Sequence, residues 1–77
     1  MKVKVLFFGV LSDIIGKTEL ELNDFSDSDS LESYFIEKFP KIKNYPYRIS
    51  VNKSFIESKT FFSENDEIAF LPPFAGG

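Results

Sequence analysis

The 77-residue sequence contains no cysteine and no histidine. The first absence excludes disulfides and thiolate metal sites. The second removes the commonest metal ligand and the side chain best suited to proton transfer near neutral pH. No metal site is expected, and a self-contained enzyme is a poor fit. No stretch comes near the roughly 20 consecutive apolar residues that span a bilayer. The opening MKVKVLFFGVL has the lysine and apolar run of a targeting segment, but Ser12 and Asp13 end the run and no small-residue cleavage site follows. The expectation is a cytoplasmic protein without a membrane partner. An excess of positive charge is missing too. Nine basic and twelve acidic residues give a net charge of −3, spread along the chain, which argues against a nucleic-acid partner. Internal repeats, low-complexity segments and an interdomain linker are also absent, so one domain is expected.

What is present suits a dense core. A chain of this length buries only about 60% of its unfolded surface, and ten phenylalanines with an apolar share of 43% supply the material. VKVLFF, Val3 to Phe8, alternates, with Val3, Val5 and Phe7 on one face and Lys2, Lys4, Leu6 and Phe8 on the other. Gly9 to Gly16 reads as a loop with a short helical turn, and KTELEL alternates again with Leu20 and Leu22 inward. In DSDSLESYFIEKFP, residues Leu31, Tyr34, Phe35, Lys38 and Phe39 form the stripe of an amphipathic helix. Asp29 followed by Glu32 offers an N-cap with its capping-box partner, and Pro40 disfavours helix beyond Phe39, which predicts a helix over about Ser30 to Phe39. RISVN places Ile49 and Val51 inward, SFI suits a short strand, and EIAFLP places Ile68 and Phe70 inward with Glu67, Ala69 and Leu71 outward.

The order strand, strand, helix, strand, short strand, strand predicts an α+β fold: a mixed sheet with one main helix packed on one face. With the last strand parallel to the first this is a ubiquitin-like β-grasp, over residues 1–71, followed by an extended C-terminal tail, residues 72–77. Leu6, Phe8 and Leu71 then gather on the helix-free face, where an apolar cluster marks an interaction surface. Pro72 and Pro73 stop strand pairing and stiffen the chain as it leaves the sheet. From Pro72 through Phe74 and Ala75 to Gly76 and Gly77, about 3.3 Å per residue lets the terminal carboxylate reach roughly 20 Å from the body. Glycines at the tip, lacking Cβ, can pass a narrow channel. The alternative is a frayed tail without a role.

DEIAFLPPFAGG resembles the C-terminal signature of the molybdopterin synthase small subunits, sulfur carriers of the ubiquitin-like superfamily. Pro72, Pro73, Gly76 and Gly77 match its strongest positions, and KVLFFG and VNKSFI resemble the family's first strand and central hairpin. The resemblance covers essentially the whole chain. Asn65 stands at a turn where the family usually has glycine, a position asparagine tolerates. Phe74 replaces a smaller residue and bears on how the tail fits its channel.

The resemblance implies that an adenylating enzyme uses MgATP to convert the Gly77 carboxylate to an acyl-adenylate. A sulfur donor then displaces AMP to leave a thiocarboxylate. In a heterotetramer with the synthase large subunit, that thiocarboxylate would give its sulfur to cyclic pyranopterin monophosphate, building the dithiolene of molybdopterin. This chain would bind no cofactor itself and have no catalytic activity alone. Alignment with the family also puts Phe55 among the exposed apolar contacts, beside Leu6, Phe8 and Leu71. Parity alone cannot assign Phe55, because a turn of uncertain length precedes it. Three other readings stand: a carrier for thiamine synthesis or tRNA thiolation, a protein modifier, and a plain interaction domain with an inert tail.

Overall fold

The computed structural model describes residues 1–72. The expected tail positions Pro73, Phe74, Ala75, Gly76 and Gly77 lie outside the described residues, and of the expected tail Pro72 alone is described.

Strict alternation shapes the first strand, β1 (Val3–Phe7), whose burial alternates between core and half-buried positions. Val3, Val5 and Phe7 are almost fully buried. The Gly9–Gly16 segment forms a helix, α1 (Val10–Ile15), which buries Leu11 and Ile15 and ends on Gly16 at φ 84°, a left-handed conformation natural to glycine. β2 (Glu19–Leu22) returns antiparallel to β1 with Val5 opposite Leu20. The main helix, α2 (Ser28–Lys38), is followed by a 3₁₀ turn (Pro40–Asn44). β3 (Arg48–Val51) and β4 (Ser54–Phe55) form a short hairpin, and β5 (Asp66–Leu71) closes the sheet.

The sheet order is β2-β1-β5-β3-β4. β1 and β5 run parallel with Phe7 beside Phe70, and the remaining neighbours are antiparallel. This is the ubiquitin-like β-grasp expected from the element order. Helix α2 lies on the face that carries Val5, Phe7, Ile68 and Phe70, and Leu31 and Phe35 from its stripe are each 1% exposed in the shared core. Ring contacts knit the layers: the Phe7 centroid lies 4.9 Å from Phe35 and 5.1 Å from Phe70. Lys38 sits at the margin of the stripe with its ammonium 5.2 Å from the Tyr34 ring centroid.

Two expectations need correction. Helix α2 starts two residues early, because Asp27 rather than Asp29 is the N-cap: the Asp27 carboxylate accepts the backbone N–H of Ser30 at 2.8 Å and the Ser30 hydroxyl at 3.2 Å. Asp29 instead lies in the first turn, where its charge favours the helix dipole. Ala69 does face away from the helix, but it is only 8% exposed, because Leu6 and Ser50 flank it in register and leave a small side chain in a trough. Asn65 meets its expectation, with φ 67°.

Candidate docking face and tail exit

The helix-free face of the sheet is chemically divided along the strands. Toward the start of β1 it is polar, with Lys2 3.6 Å from Glu21 and Lys4 3.7 Å from Glu19. Toward the end of β1 and β5 it turns apolar. One row across the sheet runs Leu6, Ala69, Ser50 and Phe55, fixed by the strand registers. Beyond it, Leu71 stands opposite Arg48, and Phe8 follows β1 with its N–H donating to the Phe70 carbonyl at 3.3 Å. Phe8 is 44% and Phe55 50% exposed, large values for phenylalanine. Leu6 and Leu71 are half-buried.

The structure thus brings together all four residues singled out in the sequence, Leu6, Phe8, Phe55 and Leu71, on one face. Phe55 is settled by the turn before it. Asn52 and Lys53 both have positive φ, 50° and 72°, so the hairpin loop has two residues and Phe55 pairs with Ser50. Sequence reasoning missed Arg48, although the signal was present: a residue adjacent to an inward Ile49 must point outward. Its guanidinium carbon lies 4.1 Å from the Phe55 ring centroid, a cation–π stack on the exposed ring.

The chain leaves the sheet at this apolar end. β1 and β5 finish side by side, so the turn after β1 meets Pro72. Gly9 adopts φ 59° and ψ −138°, and a Cβ at Gly9 would come within 3.1 Å of Pro72 Cγ. The bare glycine therefore lets the Pro72 ring settle against the end of β1.

A polar groove lies on the other side of Arg48, lined in part by Ser28, Glu32, Tyr47 and Glu57. Tyr47 donates its hydroxyl to Glu32. Burial, then this hydrogen bond and the neighbouring negative charge, push the Tyr47 phenol well above its usual value. A phenol so held keeps its proton and is no base. Among the described residues no group of three or more Asp and Glu residues is placed to hold a metal ion, and no helix is long and apolar enough to cross a membrane.

An open mixed sheet with one helix across its other face, and an exposed aromatic patch where the last strand runs out, defines a β-grasp protein of the ubiquitin-like class. Within that class the chain belongs to the ThiS family, whose model matches residues 5–77. It is 30% identical to the molybdopterin synthase sulfur carrier subunit of Mycobacterium tuberculosis, with 100% of this chain and 99% of the relative covered. Its structure is similar to subunit 1 of the molybdopterin-converting factor of Helicobacter pylori, solved in a complex with subunit 2, at a TM-score of 0.76 and 26% identity over 100% of both chains. It is also similar to small archaeal modifier protein 1 of Methanosarcina acetivorans, at a TM-score of 0.80 and 25% identity, covering 99% of this chain and 96% of that one.

Proposed function

We propose that this chain is the sulfur-carrying small subunit of a molybdopterin synthase. One observation supports the reading above others: the chain aligns over its full length with a subunit solved beside its partner, and its own exposed Phe8 and Phe55 lie on the sheet face at the end where the tail leaves. Leu6, Phe8, Phe55 and Leu71 would then seat the large subunit, directing the tail from Pro72 toward that subunit's active site. Phe74, Ala75, Gly76 and Gly77 would follow it, the two glycines suiting a narrow channel because they carry no Cβ.

Because a free carboxylate resists nucleophilic attack, it must first be activated. In the adenylating enzyme, a Gly77 carboxylate oxygen attacks the α-phosphorus of MgATP and releases pyrophosphate. A sulfur donor then displaces AMP, leaving the thiocarboxylate. That sulfur attacks cyclic pyranopterin monophosphate in the large subunit. Water then cleaves the thioester so formed, returning the Gly77 carboxylate and leaving the sulfur on the pterin, and two such transfers supply both sulfurs of the dithiolene. MgATP belongs to the activating enzyme, and acid–base residues belong to the large subunit, in keeping with a chain that has no histidine or cysteine. The reaction is cytoplasmic.

A second reading, a protein modifier joined through its last glycine to a lysine, is favoured by the similarity to the Methanosarcina acetivorans protein. Mass spectrometry of the chain isolated from its native cell decides. Replacement of one oxygen by sulfur at the terminus, with the large subunit co-purifying, is the expected result. A branched peptide joining Gly77 to lysines of other proteins, without sulfur, selects the modifier. An unaltered terminus under all conditions sinks both.

A further inference from the structure

We propose that Arg48 is the charged anchor of the docking face and that the protein docking there must present a carboxylate side chain to it. The inference rests on the carrier reading, since it concerns the surface that reading assigns to the large subunit. Arg48 stands opposite Leu71 at the apolar end of the face, with its guanidinium 4.1 Å from the exposed Phe55 ring. Among the described residues the ion pairs are Lys2–Glu21 and Lys4–Glu19, so Arg48 has no carboxylate of its own. Glu32 and Glu57 line the groove beside it without coming within ion-pairing distance, and Glu32 already accepts the Tyr47 hydroxyl.

A cation in this position constrains what can cover it. Any surface that seats on Leu6, Phe8, Phe55 and Leu71 also removes water from the guanidinium, and a buried charge without a partner is strongly unfavourable. The contact with the Phe55 ring offsets part of that cost and leaves the guanidinium its planar N–H fork. A carboxylate matches that fork with two parallel hydrogen bonds, and a purely apolar surface is excluded. The apolar residues therefore supply area, while Arg48 sets register and rejects partners that lack an acid at that point.

The test is calorimetric titration of the full-length chain with the large subunit from the same organism, at low and high salt. Arg48→Met keeps the stem and removes the charge. It should weaken binding about 10- to 100-fold and flatten the salt dependence. Arg48→Lys, which keeps charge without the fork, should fall between, and Arg48→Glu should bind worst. Urea midpoints of all three should match the wild type, because Arg48 is exposed. If Arg48→Met binds within twofold of wild type, or more tightly, the anchor is wrong while the carrier reading stands. If the wild-type chain itself does not bind the large subunit, both fall.

Discussion

At the scale of single residues, backbone conformation sets one clear expectation. Lys53 holds φ 72° as the second residue of the β3–β4 loop, after Asn52 at φ 50°. Glycine reaches that conformation without crowding from a Cβ, and Asn-Gly is the preferred pair in a two-residue hairpin of this kind. Lys53→Gly should therefore raise stability by about 0.5–1 kcal/mol, seen as a higher urea midpoint with an unchanged slope. Asn52 should not tolerate replacement as well, because its side chain bridges to β5: its amide donates to Asp66 at 2.9 Å and its carbonyl oxygen accepts the Glu67 N–H at 3.0 Å. Asp27 gives a pH prediction. The Ser30 backbone N–H, assisted by the Ser30 hydroxyl and by Lys59, holds its carboxyl below the ordinary 3.8 against a smaller opposing effect of desolvation. An acid whose value is lowered by folding contributes stability above its unfolded value and loses that contribution as pH falls through the folded one. Wild-type stability should decline below about pH 4, and Asp27→Asn, which keeps an acceptor for the cap at every pH, should show a shallower decline in urea melts run from pH 6 to 2.5.

At the scale of elements, the two faces of the central strands should respond differently to truncation. Phe7 and Phe70 are neighbours in the β1–β5 register and meet Phe35 of α2, with the Phe35 and Phe70 centroids 5.7 Å apart. Phe7→Ala or Phe70→Ala leaves a cavity in the core and should cost about 3–5 kcal/mol, a large part of the stability expected for a domain this small. Phe8→Ala and Leu71→Ala remove atoms from an open face and should shift urea midpoints much less while weakening large-subunit binding. If all four melted equally early and Phe8→Ala bound normally, the docking assignment would be lost. These faces were legible beforehand because strands alternate and the element order leaves few topologies. The start of α2 was not, since DSDS offers several candidate caps. Tertiary contacts choose among them: Ser28 N–H donates to the Thr60 carbonyl, Thr60 N–H to the Ser28 hydroxyl, and Asp27 bridges Phe61. That clamp fixes where the chain can begin to coil. Ile42 and Phe62, each in a stretch without regular periodicity, were equally hidden, yet they are 1% and 5% exposed. Ile42 is carried inward by the 3₁₀ turn, and Phe62 by its N–H bond to Ser26.

At the scale of the whole molecule, the fold separates what holds the domain together from what would do chemistry. Among the described residues the buried core lies between Val3 and Phe70, whereas the proposed reactive group is the carboxylate of Gly77. Stability and carrier activity should therefore be separable at the terminus. Deleting Gly77, or appending one residue after it, displaces the carboxylate by about 3.3 Å relative to a body held at the docking face. Geometry of that kind governs attack: reacting atoms must lie about 3–3.5 Å apart and in line, and errors of even 1 Å can cost about 100-fold in rate. Both variants should melt with the wild type, and both should still bind the large subunit through Leu6, Phe8, Phe55 and Leu71. Adenylation should fall by at least about 100-fold, measured as pyrophosphate release by the activating enzyme, and molybdopterin formation should be lost with it. Replacing Gly77 with alanine keeps the register and adds only a methyl group, so it separates a misplaced carboxylate from a crowded channel: partial activity there with none in the deletion points to register. A chain lacking Gly77 that still yields molybdopterin, given the activating enzyme and a sulfur donor, would show that the sulfur travels by another route.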